Sequence, residues 1–186
     1  MKQSIIFLCL WVATLFISCE KELIRWDKDY IITGDPSQVG LRYTTTSLNE
    51  ILYNDQTVDF PIDMNQDGGD DLIVSKNTGH TRVSSFLTVG ISGTYYILCD
   101  SNDNALVFSS GDTLRSDGYH QLTSANIFSE SHWNCESEGG CAHREQGYWA
   151  DQENKYLGVV SPDGKLGWIR MTLRSNLRIS GYGILQ

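Results

Sequence analysis

Apolar and polar residues alternate in short runs along most of the chain after residue 30. Successive side chains of a β-strand point to opposite faces, so this alternation predicts strands. In the clearest run, residues 166–173, one face is apolar and the other is mixed. The apolar face has Ile169, Met171 and Leu173, and the mixed face has Trp168, Arg170 and Thr172. The other predicted strands are 56–62, 71–75, 81–91, 94–100, 105–109, 147–151, 155–160 and 177–185.

Turn residues separate these runs. Residues 161–164 read S-P-D-G between two predicted strands, and Gly164 can supply the positive φ of a tight turn. Residues 47–53 are compatible with one or two turns of helix. Many short strands divided by turns favour an antiparallel sandwich or barrel, and 186 residues leave room for one domain of ordinary size. We therefore predict a single all-β domain over residues 30–186, an antiparallel β-sandwich or flattened barrel.

The start of the chain has a different pattern. Residues 5–17 form an almost unbroken apolar run after Lys2, and a charged string, residues 20–22, follows soon after it. Thirteen residues of helix would span about 20 Å at ~1.5 Å each, which is short of the ~30 Å hydrocarbon layer of a membrane. A positive start, a short apolar run and a small residue before the break are typical of a secretory signal. We predict an exported protein, with a buried first helix as the alternative.

Residues 15–19 read L-F-I-S-C and resemble the lipobox of bacterial lipoproteins. The acidic string after Cys19 is similar to that of Bacteroidota lipoproteins displayed on the cell surface. The resemblance implies that residues 1–18 are a removed signal peptide and that residues 19–29 are the lipidated Cys19 and a tether. It also implies a surface-exposed outer-membrane lipoprotein, anchored in the membrane by the acyl chains of Cys19.

The chain is acidic, with 23 Asp and Glu against 14 Lys and Arg and a formal charge of −9. Binding to nucleic acid depends on clustered Lys and Arg, so we expect no nucleic-acid partner. No phosphate loop, dinucleotide fingerprint or nucleophile elbow occurs in the sequence.

Residues 63–71, called the Asp loop below, read D-M-N-Q-D-G-G-D-D. Oxygen-bearing side chains recur at alternate positions, Gly68 permits a sharp turn and Gly69 can lend its carbonyl oxygen. Hard oxygen ligands in a flexible loop suit Ca²⁺, and position 12 is Val74 instead of the Glu of an EF-hand. We predict a structural Ca²⁺ site, with a metal-free surface turn as the alternative. Its candidate ligands are Asp63, Asn65, Asp67, Gly69 and Asp71.

The Asp loop resembles the strand-associated loops of FG-GAP and other secreted β-repeat proteins. Residues 156–160 and 164–171 read Y-L-G-V-V and G-K-L-G-W-I-R-M. They are similar to a recurrent C-terminal hairpin of largely uncharacterised secreted bacterial β-proteins. This resemblance implies a β fold and export, and it implies no particular chemistry.

The predicted export bears on the state of the cysteines. Cys135 and Cys141 flank a polar, glycine-containing loop, and an exported protein is in surroundings that permit disulfides. We predict a disulfide between them, and a zinc site formed with His132 and His143 is the less favoured alternative. Cys99 ends an apolar run and is expected to be a buried thiol.

The absence of catalytic motifs favours a non-catalytic binding or structural module of the cell envelope, with an envelope glycan or protein as its partner. A glycan-acting enzyme that uses two carboxylates distant in sequence is the alternative. The candidate ligand-binding residues are Trp168, Arg170 and Trp149, because exposed aromatic rings stack on sugars. Packing of these aromatic residues in the core is the favoured interpretation, because large aromatic side chains are usually buried there.

Overall fold

The computed structural model describes residues 30–52, 56–80, 84–133, 143–174 and 176–186, with the backbone alone for 80, 84–85, 130–133 and 143–146. Every regular element in this part of the chain is a strand. No helix there has the length and apolar character needed to cross a membrane. The strands are β1 (Tyr30–Ile32), β2 (Leu41–Ile51), β3 (Val58–Ile62), β4 (Leu72–His80), β5 (Ser84–Cys99), β6 (Thr113–Arg115), β7 (His120–Trp133), β8 (His143–Gln146), β9 (Gln152–Val160), β10 (Leu166–Leu173) and β11 (Asn176–Leu185).

Nine of these strands form one antiparallel sheet. Seven lie in the order β2-β11-β10-β9-β5-β4-β3, β7 pairs with β5, and β8 pairs with β7. The sheet curls until it is nearly closed into a barrel. The predicted all-β antiparallel fold class is therefore confirmed. The predicted turn at residues 161–164 is also present between β9 and β10, where the Gly164 N–H donates to the Ser161 carbonyl at 2.9 Å.

The concave face of the sheet holds the main core. Buried inward positions alternate with less buried outward ones in the later half of β10 and the first half of β11, whereas residues 156–160 of β9 are buried on both faces. The inward residues of these strands meet those of β4, β5 and β7. The main core includes Leu72, Val74, Val89, Ile91, Ile97, Ile127, Leu157, Val159, Ile169, Met171, Leu177 and Ile179.

A second, smaller apolar cluster lies on the outer face of the same sheet. β1 and β6 pair into a two-stranded ribbon, and the ribbon's fully buried Ile31 and Leu114 pack on outward side chains near the β9–β10 turn. These side chains include Tyr156 and Trp168. The ribbon thus covers one end of the outer face, where the strands would otherwise expose aromatic residues to water.

Side chains join the two borders of the curled sheet. Lys76 of β4 is 0% exposed, and its Nζ donates to the Ile51 carbonyl of β2 at 2.8 Å and to Glu50 Oε1 at 3.3 Å. Arg42 of β2 donates to the Asn65 carbonyl, and Gln66 donates to Thr44. A buried ammonium group is tolerated only when it is paired and hydrogen-bonded, so this seam depends on Glu50 and on the β2 backbone.

Four details of the predicted element pattern are wrong. Residues 47–53 are not helical, because most of them belong to strand β2. The described residues of the predicted strand 81–91 and residues 94–99 of the predicted strand 94–100 belong to one long strand, β5. Residues 105–109 make only isolated bridges, at Ala105 and Phe108. Residues 147–151 form a turn instead of a strand, since Gly147 and Asp151 have φ of 105° and 55°, outside the β region.

Candidate functional site

The Asp loop connects β3 to β4 and is closed by hydrogen bonds to its own carboxylates. Asp63 accepts the N–H groups of Asp67 at 3.1 Å and Gly68 at 2.8 Å. The Gly69 N–H donates to Asp67 Oδ1 at 2.8 Å, and Asn65 Nδ2 donates to Asp67 Oδ2 at 2.9 Å. These bonds fold the loop into a tight turn, and both carboxylates and the Asn65 amide lie inside it.

Asp71 ends the loop in a more buried position, with 8% of its surface exposed. One carboxylate oxygen accepts the N–H groups of Met64 at 2.8 Å and Asn65 at 3.1 Å. Burial raises the pKa of this carboxyl above its ordinary value, and the charges of Asp67 and Asp63 add to the increase. Burial, with a further contribution from the charge of Asp71, raises the pKa of the neighbouring Tyr95 to about 12. The closed end of the loop is therefore a crowded, negatively charged environment.

The predicted calcium ligands all lie in the Asp loop. Their carboxylates accept hydrogen bonds from N–H groups of the same loop. In the part of the chain that the structure describes, no three Asp, Glu, His or Cys side chains are grouped closely enough to hold a metal ion. The donor set of three carboxylates, one amide and the Gly69 carbonyl still has the oxygen chemistry that Ca²⁺ prefers. Calcium binding by Asp63, Asn65, Asp67, Gly69 and Asp71 therefore stays a prediction.

Trp168 and Trp149 pack in the core, as the favoured interpretation of the aromatic residues predicts, and they are not exposed binding residues. Trp168 is 1% exposed and Trp149 is 0% exposed, so neither ring can stack on a sugar in solution. Trp168 does lie on the outer face with Arg170, as its strand alternation predicts. It is covered there by Tyr156, with ring centroids 5.2 Å apart and an edge-to-face arrangement, and by Tyr43 at 5.5 Å. Its two cross-strand partners are Gly158 and Gly183, and a Cβ atom at Gly183 would lie 3.3 Å from Trp168 Cε2.

The third predicted ligand-binding residue, Arg170, is half-buried on the outer face. Its Nη2 donates to Asn154 Oδ1 at 3.1 Å. Asn154 lines an open groove of about 500 Å³ on the same face, at the end of β9 to β11 opposite the ribbon. Every lining side chain of this feature, called the polar groove below, is polar. The lining residues are Ser47, Asn49, Glu153, Asn154, Thr172, Arg174, Asn176 and Arg178.

The strand register builds the polar groove. Arg178 of β11 is directly opposite Thr172 of β10 on one side and Asn49 of β2 on the other. The Asn154 N–H donates to Thr172 Oγ1 at 3.0 Å, which extends this row to a fourth strand. Side chains directly opposite each other in a ladder share a face. Four polar side chains from four strands therefore form a row across the groove.

The two arginines of the polar groove differ in their partners. Arg174 Nη1 donates to Glu153 Oε1 at 2.6 Å, and this hydrogen bond and the charge of Glu153 raise the pKa of the guanidinium. Arg178 is exposed, and its guanidinium has no hydrogen-bond acceptor among the described residues. The Arg174 guanidinium is thus paired with a carboxylate, whereas the Arg178 guanidinium faces solvent.

Little in the sequence predicts this groove. Its lining residues come from β2, β9, β10 and β11 and from Arg174 after β10, and β2 lies far from the other three strands in the chain. The one available signal was the alternation in residues 166–173, which placed Arg170 and Thr172 on the same face.

Several predicted residues lie outside the described part of the chain. These include residues 1–29, with the predicted signal peptide, Cys19 and tether, and also Cys135 and Cys141. Described strands do flank the two cysteines, because His132 of β7 and His143 of β8 are register partners. Cys99 is a buried free thiol, as expected, and burial raises its pKa to about 11. A thiol with such a pKa is protonated at neutral pH and is a poor nucleophile.

Comparisons with protein-family models, with curated proteins and with solved structures each found no match to this chain.

Proposed function

We propose that this protein is a surface-anchored bacterial lipoprotein whose β domain is a non-catalytic binding module of the cell envelope. The lipobox-like residues 15–19 support the anchor and the location. The observation that carries the binding role is the polar groove, an open surface of about 500 Å³ lined by eight polar side chains. A volume of this size falls within the ~300–1,000 Å³ of small-molecule sites.

The charges of the polar groove favour binding over glycoside hydrolysis. Hydrolysis of a glycosidic bond generally needs two carboxyl groups about 5–9.5 Å apart, one of them kept protonated. Among the described residues that line the groove, Glu153 is the one carboxylate, and it is tied to Arg174 at 2.6 Å. The groove therefore offers one carboxylate, already bonded to an arginine, where this chemistry needs two.

The binding role is tested by probing a glycan array and an envelope extract with the full chain in a neutral detergent. The Asn49→Trp variant fills the groove at an exposed position, and Ser124→Trp is the matched control, since Ser124 is an exposed residue of β7. We expect retention of a glycan or envelope component by the wild type and the control, and its loss in Asn49→Trp. Equal retention by all three proteins, or none by the wild type, would contradict a binding role for the groove.

We further propose that the Asp loop binds Ca²⁺ and that the ion stabilises the fold. Asp63, Asn65, Asp67 and Asp71 would supply side-chain oxygens and Gly69 its carbonyl, and a divalent cation would offset the repulsion among the carboxylates. Extracellular calcium modules typically bind with Kd of roughly 10⁻⁴–10⁻³ M. At 10 mM Ca²⁺, mass action then adds about 1.4–2.7 kcal/mol to the free energy of unfolding.

A thermal melt in EDTA and in 10 mM Ca²⁺ measures this effect. For a domain of this size about 1 kcal/mol corresponds to ~2–4 °C, so we expect Ca²⁺ to raise the Tm by roughly 3–11 °C. Asp63→Asn should abolish the increase, whereas Asp117→Asn, an exposed acidic residue outside the loop, should keep it. A Tm that is the same in EDTA and in Ca²⁺ would refute the calcium site.

A further inference from the structure

The polar groove is a local positive site on an acidic protein. Its lining has two arginines and one glutamate, a net charge of +1, whereas the whole chain has a formal charge of −9. The nearby acidic residues Glu153 and Asp151 both act on Arg174. Arg178 is therefore the cation of the groove that is available to a ligand.

A guanidinium in this setting is suited to a carboxylate. Arginine presents its donors in a planar fork that matches the two oxygens of a carboxylate, and such bidentate, charge-assisted bonds are stronger than neutral ones. Arg178 lies in the middle of the row, between Thr172 and Asn49. An anionic group placed on Arg178 would therefore have neutral hydrogen-bonding side chains on both sides.

The rest of the groove matches a ligand rich in hydroxyl groups. Besides its charged residues it offers the hydroxyls of Ser47 and Thr172 and the amides of three asparagines, and no lining residue is apolar. The Asn176 amide donates to Asn49 Oδ1 at 3.2 Å, which keeps two of these amides side by side. A peptide ligand would normally require apolar pockets for its side chains or an open strand edge, and the groove lies on the face of the sheet.

We propose that the polar groove binds a carboxylated saccharide, with Arg178 holding the carboxylate and the flanking asparagine, threonine and serine side chains bonding the hydroxyls. This proposal rests on the proposed binding function and specifies its ligand class. Recognition is by hydrogen bonds and charge, because no aromatic residue is among those that line the groove.

The test uses the full chain in neutral detergent and two matched probes, a trimer of galacturonic acid and the same trimer as its methyl ester. Binding is measured by titration calorimetry. We expect the acid to bind the wild type at least about tenfold more tightly than the ester, since a hydrogen bond to a charged group contributes roughly 1.5–3 kcal/mol. Arg178→Gln should weaken acid binding by a similar factor, and Arg178→Lys should give an intermediate affinity. Arg115→Gln, the same change at an exposed residue of β6 outside the groove, should bind as the wild type does.

The outcomes separate this proposal from the broader one. Equal affinity for acid and ester, both lost in Asn49→Trp, would overturn the role of the carboxylate and leave the groove as a site for neutral sugars. Binding of hexaglutamate through Arg178, without binding of either saccharide, would overturn the saccharide in favour of an acidic peptide. If none of the three probes binds and the array is also blank, both this inference and the proposed binding function fail.

Discussion

Replacing Gly93 with alanine tests the contact that fixes the Asp loop to the sheet. Gly93 of β5 is the register partner of Leu72, the first residue of β4 after the loop. A Cβ atom at position 93 would lie 2.2 Å from the Asp71 carbonyl oxygen and 2.8 Å from Leu72 Cα. Both are backbone atoms, one at the end of the Asp loop and one in the paired strand β4, so they cannot swing aside as the end of a side chain could.

The expected cost has two parts. Relief of the overlap must move the Asp71 carbonyl by about 1 Å, and overpacking of this kind costs about 1–3 kcal/mol. The same movement weakens the bond from the Thr94 N–H to that carbonyl, now 2.9 Å, and a backbone hydrogen bond is worth about 0.5–1.5 kcal/mol. We therefore expect a loss of roughly 2–4 kcal/mol in the free energy of unfolding and a decrease in Tm of roughly 4–16 °C.

The assay is chemical and thermal unfolding of Gly93→Ala beside Gly90→Ala in the same strand. At Gly90 a Cβ would meet nothing closer than Asn126 Oδ1 at 3.3 Å, the end of a side chain that can adjust. The control variant should match the wild type within about 1 kcal/mol, because it removes a flexible glycine from the unfolded chain at little structural cost. Equal stability of the two variants would refute the argument that β5 holds the Asp loop through this close approach.

Three further changes test other parts of the molecule. Trp168→Ala should lower the free energy of unfolding, measured by urea titration, by about 3–5 kcal/mol, because it leaves a cavity beneath the ribbon. A loss under about 1 kcal/mol would mean that the ring is not buried. Cys99→Ser should have as many thiols that react at pH 8 as the wild type in the native state, and one fewer after unfolding. A difference in the native state would contradict the burial of Cys99. Hydrogen bonds from the backbone of Asn104 and Asn102 and from Tyr148 hold the pKa of Asp100 at about 2, below its ordinary value. The stabilisation by the ionised form is therefore present above about pH 4 and is lost as the pH falls towards 2, so the stability gap between wild type and Asp100→Asn should shrink over that interval and remain constant above it.

The parts of the fold that could be predicted are those in which local pattern and tertiary environment agree. β10 spans the predicted residues, Leu166–Leu173, because its inner face is apolar throughout and its two ends are marked by turns. β7 was not predicted, since its burial does not alternate cleanly along the strand. β2 was misread at residues 47–53 because Leu48, Ile51 and Leu52 have helical spacing. Its pairing with β11 makes it a strand all the same.

The candidate sites also differ in how far the sequence predicts them. The Asp loop is contiguous in the chain, so its closed turn could be anticipated from Asp63, Gly68 and Asp71. The way in which Trp168 is buried could not, because part of its cover is a ribbon formed by β1 and β6, which are more than 80 positions apart in the chain. Its glycine partners, Gly158 and Gly183, were visible in the sequence, but their significance depends on the strand register.

The outer face of the sheet has a packed end and a polar end, and the two ends differ in the substitutions they tolerate. One end of the face, under the β1–β6 ribbon, contributes to folding, and any substitution there has to preserve a packed cluster. The polar groove at the other end contributes no residue to either apolar cluster. Its side chains can therefore vary at little cost in stability. Single surface substitutions can therefore change the shape and charge of the groove on an unchanged scaffold.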